Sequence, residues 1–123
     1  MVEISEAEIK YAILEWLQYK QNAGELYFDR LNSGAVTVAR GYAKYKIQLC
    51  REGTADLIVL KSVLLWDGVH ATRIPSVRVI FLEIKNKRRK QRPEQEVFQE
   101  LIEAQGAEYW VVRSVEEVIE IIG

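Results

Sequence analysis

The segment from Val77 to Lys85 constrains the fold of this chain more than any other. β-Branched and aromatic side chains make up most of it, which predicts a strand near the centre of a sheet. Because side chains alternate along a strand, one face should carry Val77, Val79, Phe81, Glu83 and Lys85, and the other Arg78, Ile80, Leu82 and Ile84. An acid and a lysine therefore end an otherwise apolar row.

The segments around this strand predict one mixed α/β domain over residues 1–123. Apolar spacing and capping residues indicate helices at Ser5–Gln21, at Pro93–Gln105 and after Ser114. Strands are expected at Glu25–Leu31, Asp56–Leu60 with Val63–Trp66, Val77–Lys85 and Tyr109–Val112. The expected architecture is a central mixed β-sheet flanked by helices, in the order α-β-β-β-α-β-α.

Three further local expectations are specific enough to test. The region Ala35–Glu52 has a weak pattern and offers at most an edge strand at Tyr45–Cys50. Asp67–Ser76 is interpreted as a hairpin loop. The buried stripe of the second helix is expected to be Val97, Phe98, Leu101 and Ile102.

Size and composition exclude several classes of protein. A chain of 123 residues is about the size of one domain, and 49% apolar with 28% charged residues is typical of a globular fold. Cys50 is the only cysteine and His70 the only histidine, so neither an internal disulfide nor a zinc set within one chain can form. No apolar run has the length of a membrane span, and Met1–Glu8 carries acids where a secretory signal carries bases. We expect action in the cytoplasm, without a membrane partner, in a bacterial or phage-encoded setting.

Two acidic strand positions predict a metal site. Glu83 and Lys85 would lie ~6–7 Å apart on one face, with the Ile84 carbonyl between them. Asp56 opens the other buried strand, and its carboxylate could come beside Glu83. Two carboxylates and a carbonyl suit Mg²⁺ or Mn²⁺. Taken singly, Glu83-Ile84-Lys85 also fits a strand that runs out into solvent, and Asp56 fits a turn cap.

Two other side chains could join this site. Glu6 falls on the apolar stripe of the first helix and faces inward, whereas Glu8 already has a capping role. An inward acid in a first helical turn can also simply complement the helix dipole. Gln95, near the buried stripe of the second helix, could hydrogen-bond into the site or be an ordinary exposed glutamine.

Positive charge is concentrated directly beyond these residues. Six of the eight residues from Lys85 to Arg92 are basic, whereas the whole chain has a net charge of −1. From Glu94 onward there are eight acidic residues and one base, Arg113. Such a run is either a solvated loop or a surface for nucleic acid.

The order and spacing of these motifs resemble one known family. Gly53-Thr54-Ala55-Asp56, then Glu83-Ile84-Lys85, then Pro93-Glu94-Gln95 resemble the virus-type replication-repair nucleases (VRR-NUC) of the PD-(D/E)xK superfamily. The likeness continues in Ser5-Glu6-x-Glu8-Ile9, in Arg30-x-Asn32-Ser33-Gly34 and in Tyr109–Ser114 with Glu116-Glu117. Ala55 replaces the proline of the superfamily name, and Lys61–Ser76 is an unusual insertion.

The resemblance implies a restriction-endonuclease-like fold and metal-dependent hydrolysis of DNA phosphodiesters. It also implies a homodimer that acts on branched DNA, such as four-way junctions, in replication, recombination or repair. No small-molecule cofactor other than the metal ion is implied.

The resemblance implies a role for each site residue. Asp56, Glu83 and the Ile84 carbonyl would hold Mg²⁺ or Mn²⁺, Glu6 could complete the shell through water, and Gln95 would support the site. Lys85 would orient the attacking water or offset charge on the phosphate. The implied DNA contacts are Lys87, Arg88, Arg89, Lys90 and Arg92, with Arg30, Asn32, Arg40, Lys44 and Lys46 as further candidates. The alternatives are a non-catalytic DNA-binding module and a protein-interaction module on the same fold.

Overall fold

The computed structural model describes residues 4–66, 68–69 and 73–123. Within these ranges, the elements in chain order are α1 (Glu6–Asn22), β1 (Tyr27–Arg30), β2 (Ala35–Arg40), β3 (Ala43–Gln48), β4 (Leu57–Trp66), β5 (Arg73–Ile84), α2 (Pro93–Glu103), β6 (Glu108–Val112) and α3 (Val115–Ile122). The predicted mixed α/β class, with a mixed central sheet flanked by helices, is confirmed. The predicted order is wrong in one respect, because five strands rather than three precede the second helix.

The central sheet has four strands in the order β1-β4-β5-β6. The β1–β4 and β4–β5 pairs are antiparallel, whereas β5 and β6 are parallel and joined through α2. The expected strands Asp56–Leu60 and Val63–Trp66 form one strand, β4, which pairs with β5 out to Trp66 and Arg73. The expected loop Asp67–Ser76 is too long at its end, because β5 already begins at Arg73. Asp67 and His70 lie outside the described residues.

The alternation predicted for the Val77–Lys85 strand is confirmed by two separate cores. Ile80, Leu82 and Ile84 pack with residues of α1 and α3 in the larger core. Phe81, on the opposite face, meets Phe98 of α2 edge to face, with ring centroids 5.2 Å apart. The sheet therefore has helices on both faces, which is why β5 is apolar on both sides near its end.

Helix α2 is less buried than its apolar residues predict. Phe98 is buried and Ile102 packs beside it, but Val97 and Leu101 are about half exposed, at 48% and 47%. The helix turns Phe98 and the polar Gln95 toward the sheet, so Val97 and Leu101 face away from the core.

Among the described residues, no helix is both long and apolar enough to cross a bilayer.

Strands β2 and β3 form a hairpin of their own. They pair antiparallel from Ala35 with Gln48 to Arg40 with Ala43, and among the described residues they make no ladder with the central sheet. All twelve of their residues are exposed. The expected edge strand at Tyr45–Cys50 is confirmed in part, because Tyr45–Gln48 belongs to β3, whose one ladder partner among the described residues is β2.

Candidate functional site

The residues predicted for the metal site meet in one cleft of about 530 Å³ at the end of β5. The predicted residues that line it are Glu6, Asp56, Glu83, Ile84, Lys85 and Gln95, together with Arg89 and Arg92 of the basic segment. They come from α1, the start of β4, the end of β5, the loop after it and α2. Segments as distant in sequence as Glu6 and Gln95 thus converge on one surface depression.

The strand register brings the two acids together. Leu57 pairs with Leu82, and continuing this antiparallel ladder by one residue sets Asp56 opposite Glu83. Asp56 is fixed there because its Oδ2 accepts a hydrogen bond of 2.8 Å from the Ile84 N–H. Its second oxygen, Oδ1, lies 3.3 Å from Lys10 Nζ. The carboxylate of Asp56 is therefore held beside the backbone that carries Glu83.

Glu83 is a buried acid whose charge is only partly balanced. Its residue is 4% exposed, and its Oε1 lies 3.5 Å from Lys85 Nζ, which is equally buried. Burial first, and the negative charge of Asp56 second, raise the pKa of Glu83 from 4.5 to about 7, against the opposing effect of Lys85. Its other oxygen, Oε2, is buried without a hydrogen-bond partner among the described residues. An unpaired carboxylate oxygen in a buried position is costly, and a bound cation would offset that cost.

Gln95 links the first turn of α2 to Glu83. Its side-chain nitrogen donates a 2.7 Å hydrogen bond to Glu83 Oε1, and its side-chain oxygen accepts one of 2.8 Å from the Arg92 N–H. Gln95 is only 2% exposed. The alternative of an ordinary exposed glutamine is excluded, and the residue fixes one oxygen of Glu83.

A glycine lets α2 approach Asp56 closely. Gly53 has φ +89°, and a side chain on it would overlap the backbone carbonyl of Glu94. The loop before Asp56 therefore presses directly against the first turn of α2, next to Gln95. This approach needs a residue without a Cβ, which is a physical reason for Gly53 in the motif.

Glu6 lies at the side of the cleft that adjoins the basic loop, defined here as Lys87–Arg92. The Asn86 N–H donates to Glu6 Oε1 at 3.4 Å, and Arg89 Nη1 lies 3.5 Å from Glu6 Oε2. Glu8 is exposed, and its N–H donates to Ser5 Oγ at 3.2 Å in the cap of the helix. Glu6 is thus the acid of the first helix that faces the site, and it contacts the loop beside the metal candidates.

Two basic residues at this site were missed by sequence reasoning. Lys10 lines the cleft, and it lies one helical turn after Glu6, so an i, i+4 search from the inward acid would have found it. Arg113 donates from Nη1 to the carbonyls of Asn86 and Arg89, which ties the basic loop to the end of β6. No local pattern around Arg113 signals this contact, because it depends on the crossover that sets β6 beside β5.

The predicted DNA-contact residues fall in two places. Lys87, Arg88, Lys90 and the cleft-lining Arg89 and Arg92 are exposed on or beside the loop at the cleft mouth. Arg30 and Asn32 are exposed at the end of β1 and just after it, while Arg40, Lys44 and Lys46 are exposed on the β2–β3 hairpin. The two groups are not one continuous segment, although both begin next to the site.

The donor set fits a hard divalent cation, within limits. Asp56 and Glu83 supply carboxylate oxygens, one of them buried and unpaired, and oxygen donors of this kind suit Mg²⁺ and Mn²⁺. In the described ranges, however, no three His, Cys, Asp or Glu side chains come together as a metal-binding group. A metal ion here would rest on two carboxylates, the Ile84 carbonyl and water, with Glu6 only as an outer partner.

Comparison with known proteins returns no matching family model, no matching curated protein and no matching solved structure. The function is therefore argued from the site alone.

Proposed function

We propose that this protein is a metal-dependent DNA endonuclease, a hydrolase of the VRR-NUC type with a restriction-endonuclease-like fold. The single observation that carries the proposal is the buried oxygen of Glu83, which has no hydrogen-bond partner in the described part of the chain, beside Asp56 and Lys85 in one cleft. Two acids and a lysine held together at the ends of paired strands are costly to fold, and a purely structural role does not need them.

Asp56, Glu83 and the Ile84 carbonyl would hold Mg²⁺ or Mn²⁺, with Glu6 contributing through water. The divalent ion, when bound, would supply Lewis-acid polarisation of the phosphate and acidify a water molecule. Asp56 enters this role already oriented by the Ile84 N–H. Glu83 is oriented by Gln95, whose hydrogen bond leaves the other carboxylate oxygen available.

Lys85 is the group proposed to act on the phosphate or on the attacking water. Its ammonium group is almost fully buried, 3.5 Å from Glu83, so its charge acts through a medium of low dielectric constant. A cation in that position offsets negative charge that grows on the phosphate as the bond to water forms. Glu83 thus has two tasks, to bind the cation and to hold Lys85 in place.

The basic loop would position the DNA. Its side chains Lys87, Arg88, Arg89, Lys90 and Arg92 would contact backbone phosphates without reading bases. Arg113 supports this by holding two carbonyls of the segment in place. We further propose branched DNA as the substrate and a homodimer as the active form, since symmetric cutting of a junction needs two sites at fixed separation. The exposed Trp66 and Trp110 would be candidates for the dimer interface, whereas Ile122 is in the core.

The test is a cleavage assay on linear, forked, flapped and four-way DNA, with Mg²⁺, Mn²⁺ or chelator. We expect cleavage only with the metals, and we expect Asp56→Asn to reduce it about 10³-fold or more while DNA binding persists, because one ligand is lost. Asp29→Asn, the same change on exposed β1, is the matched control and should cut normally. Full metal-dependent cutting by Asp56→Asn would refute the assigned site.

A second candidate is a non-catalytic DNA-binding or protein-interaction module. It is favoured by the absence of a third acid in direct reach of Asp56 and Glu83 within the described ranges. Binding of DNA by the wild-type protein with no cleavage of any substrate would support the DNA-binding version. Failure to bind any DNA at low salt would support the protein-interaction version.

A further inference from the structure

The β2–β3 hairpin stands apart from the rest of the fold. Its ladder runs from Ala35 with Gln48 to Arg40 with Ala43, and it is separate from the four-stranded sheet. At its base the Leu49 N–H donates to the Gly34 carbonyl at 2.9 Å, and next to it the Cys50 N–H donates to the Asn32 carbonyl at 2.8 Å. A two-stranded hairpin is marginally stable by itself in water, so an exposed one gains order from a partner.

The charge on this segment identifies the kind of partner. From Arg30 to Arg51 the chain has five basic residues and no acidic one, although its total charge is −1. Three of the five, Arg40, Lys44 and Lys46, lie on the hairpin itself. A cationic, acid-free surface is complementary to a polyanion such as DNA.

The lysines also share one face of the hairpin. In the ladder, Lys44 is opposite Ala39 and Lys46 is opposite Thr37, and directly paired residues project to the same side. The two lysine side chains therefore leave the strand ~7 Å apart, on a face that also carries Thr37 and Ala39. The other face carries Val36, Val38, Tyr45 and Ile47, with Arg40 near the turn.

The hairpin starts beside the cleft. The Leu31 N–H donates a 2.8 Å hydrogen bond to the carbonyl of Asp56, and the chain enters β2 four residues later. Six residues of strand extend ~20 Å, which equals the rise of about six base pairs. A two-stranded ribbon is also of a size that the major groove of B-form DNA admits.

We infer that the β2–β3 hairpin is a duplex-binding arm, whose Lys44 and Lys46 face contacts the phosphates of double-helical DNA next to the phosphodiester held in the cleft. This inference rests on the proposed function and specifies its substrate. The DNA must be double-stranded for about six base pairs on the hairpin side of the cut. A substrate that is single-stranded there loses these contacts.

The test compares Lys44→Gln/Lys46→Gln with Lys20→Gln/Lys61→Gln. The control pair makes the same change of charge on lysines that contact Glu25. Binding to a labelled duplex is measured by fluorescence anisotropy in chelator, at salt concentrations from 50 to 200 mM. The slope of log K against log salt is negative, and we expect it to become less negative by about 2 in the hairpin variant, at ~0.9 for each phosphate contact that is lost. The control variant should leave the slope unchanged.

Cleavage kinetics separate this inference from the proposed function. In Mg²⁺ the hairpin variant should raise KM and leave kcat within about twofold, and its loss of affinity should disappear on DNA that is single-stranded on that side. The wild-type protein could bind duplex DNA without cutting it, while the hairpin variant still shows the weaker salt dependence. That result would support the duplex-binding arm and refute the endonuclease proposal.

Two results would overturn the inference. The first is a hairpin variant with the salt slope of the wild-type protein, and the second is a wild-type protein that binds no duplex. If the first result comes together with dissociation of a dimer by Val38→Ser/Tyr45→Ser in sedimentation, the hairpin is assigned to a second copy of the chain instead.

Discussion

Strand β5 carries two ion pairs, one at each end of its core section, and they are built differently. Arg78 binds Glu108 of β6 through two hydrogen bonds, Nε to Oε2 at 2.7 Å and Nη2 to Oε1 at 2.8 Å. Arg78 also donates to the Ile121 carbonyl at 3.0 Å. Lys85 and Glu83, at the other end, meet at 3.5 Å, and one oxygen of Glu83 is buried without a partner in the described part of the chain.

The pKa values follow this difference. Hydrogen bonding to Arg78 holds the pKa of Glu108 below its ordinary value, because the ionised form is the one that is bound. Burial and the charge of Asp56 raise the pKa of Glu83 to about 7, because the ionised form is short of partners. The first pair joins β5 to β6 and to α3, while the second is left to be completed by something from outside the chain.

The largest effect expected from this comparison is a difference of sign in pH-dependent stability. The carboxyl of Glu83 titrates at about 4.5 in the unfolded chain and at about 7 in the folded one, so the folded protein binds this proton more tightly. The metal-free protein therefore loses stability through this group as pH rises from about 4.5 to 7, and the loss persists above pH 7. Between pH 4 and pH 8, the free energy of unfolding of Glu83→Gln should rise by up to about 3 kcal/mol relative to that of the wild-type protein.

Glu108→Gln should change in the opposite direction. A lowered pKa contributes stability above the unfolded value that is lost as pH falls, so the free energy of unfolding of this variant should fall relative to that of the wild-type protein as pH rises from 4 to 8. Urea unfolding at a series of pH values in this range, in chelator, measures the free energy of unfolding of both variants and of the wild-type protein. If the two differences move in the same direction, the contrast between the pairs is wrong.

A smaller effect is expected from Lys10, which can change partners in a way that Arg78 cannot. Under the proposed function, a divalent cation would compete with Lys10 for Asp56, and the displaced lysine would contact a phosphate in the cleft. Lys10→Met should therefore lower kcat about tenfold, which is ~1.4 kcal/mol of transition-state stabilisation. The matched control is Lys20→Met on the same helix, whose lysine pairs with Glu25 at 3.0 Å, outside the cleft. Equal kcat values for the two variants would remove Lys10 from the site.

The sequence predicted the elements that carry strong periodicity. The first helix was expected at Ser5–Gln21 and lies at Glu6–Asn22, and both faces of β5 were assigned correctly. The β2–β3 hairpin was not predicted, because periodicity reports burial and every residue of this hairpin is exposed. The burial predicted for Val97 and Leu101 was wrong, because an apolar stripe in a helix does not reveal how much of it a neighbouring element covers.

Most residues of the site were predicted, with Lys10 and Arg113 as exceptions, but the contacts between them were not. Asp56 and Glu83 could be paired only through the order of motifs, because the sequence does not specify that Leu57 lies opposite Leu82. Gln95 was expected near the site, but its hydrogen bond to Glu83 depends on the approach of α2 to Gly53. The hydrogen bonds from Arg113 to the carbonyls of Asn86 and Arg89 depend on the position of β6, which no local pattern predicts.

The most direct test of the account is a Mn²⁺ titration by calorimetry at pH 8, in the absence of DNA. The wild-type protein should bind one Mn²⁺ saturably, and Mg²⁺ should compete for the site. Asp56→Asn and Glu83→Gln should each weaken binding tenfold or more, at least ~1.4 kcal/mol, whereas Glu108→Gln should bind like the wild-type protein. No saturable binding by the wild-type protein, or equal binding by Asp56→Asn, would contradict a cation held jointly by Asp56 and Glu83.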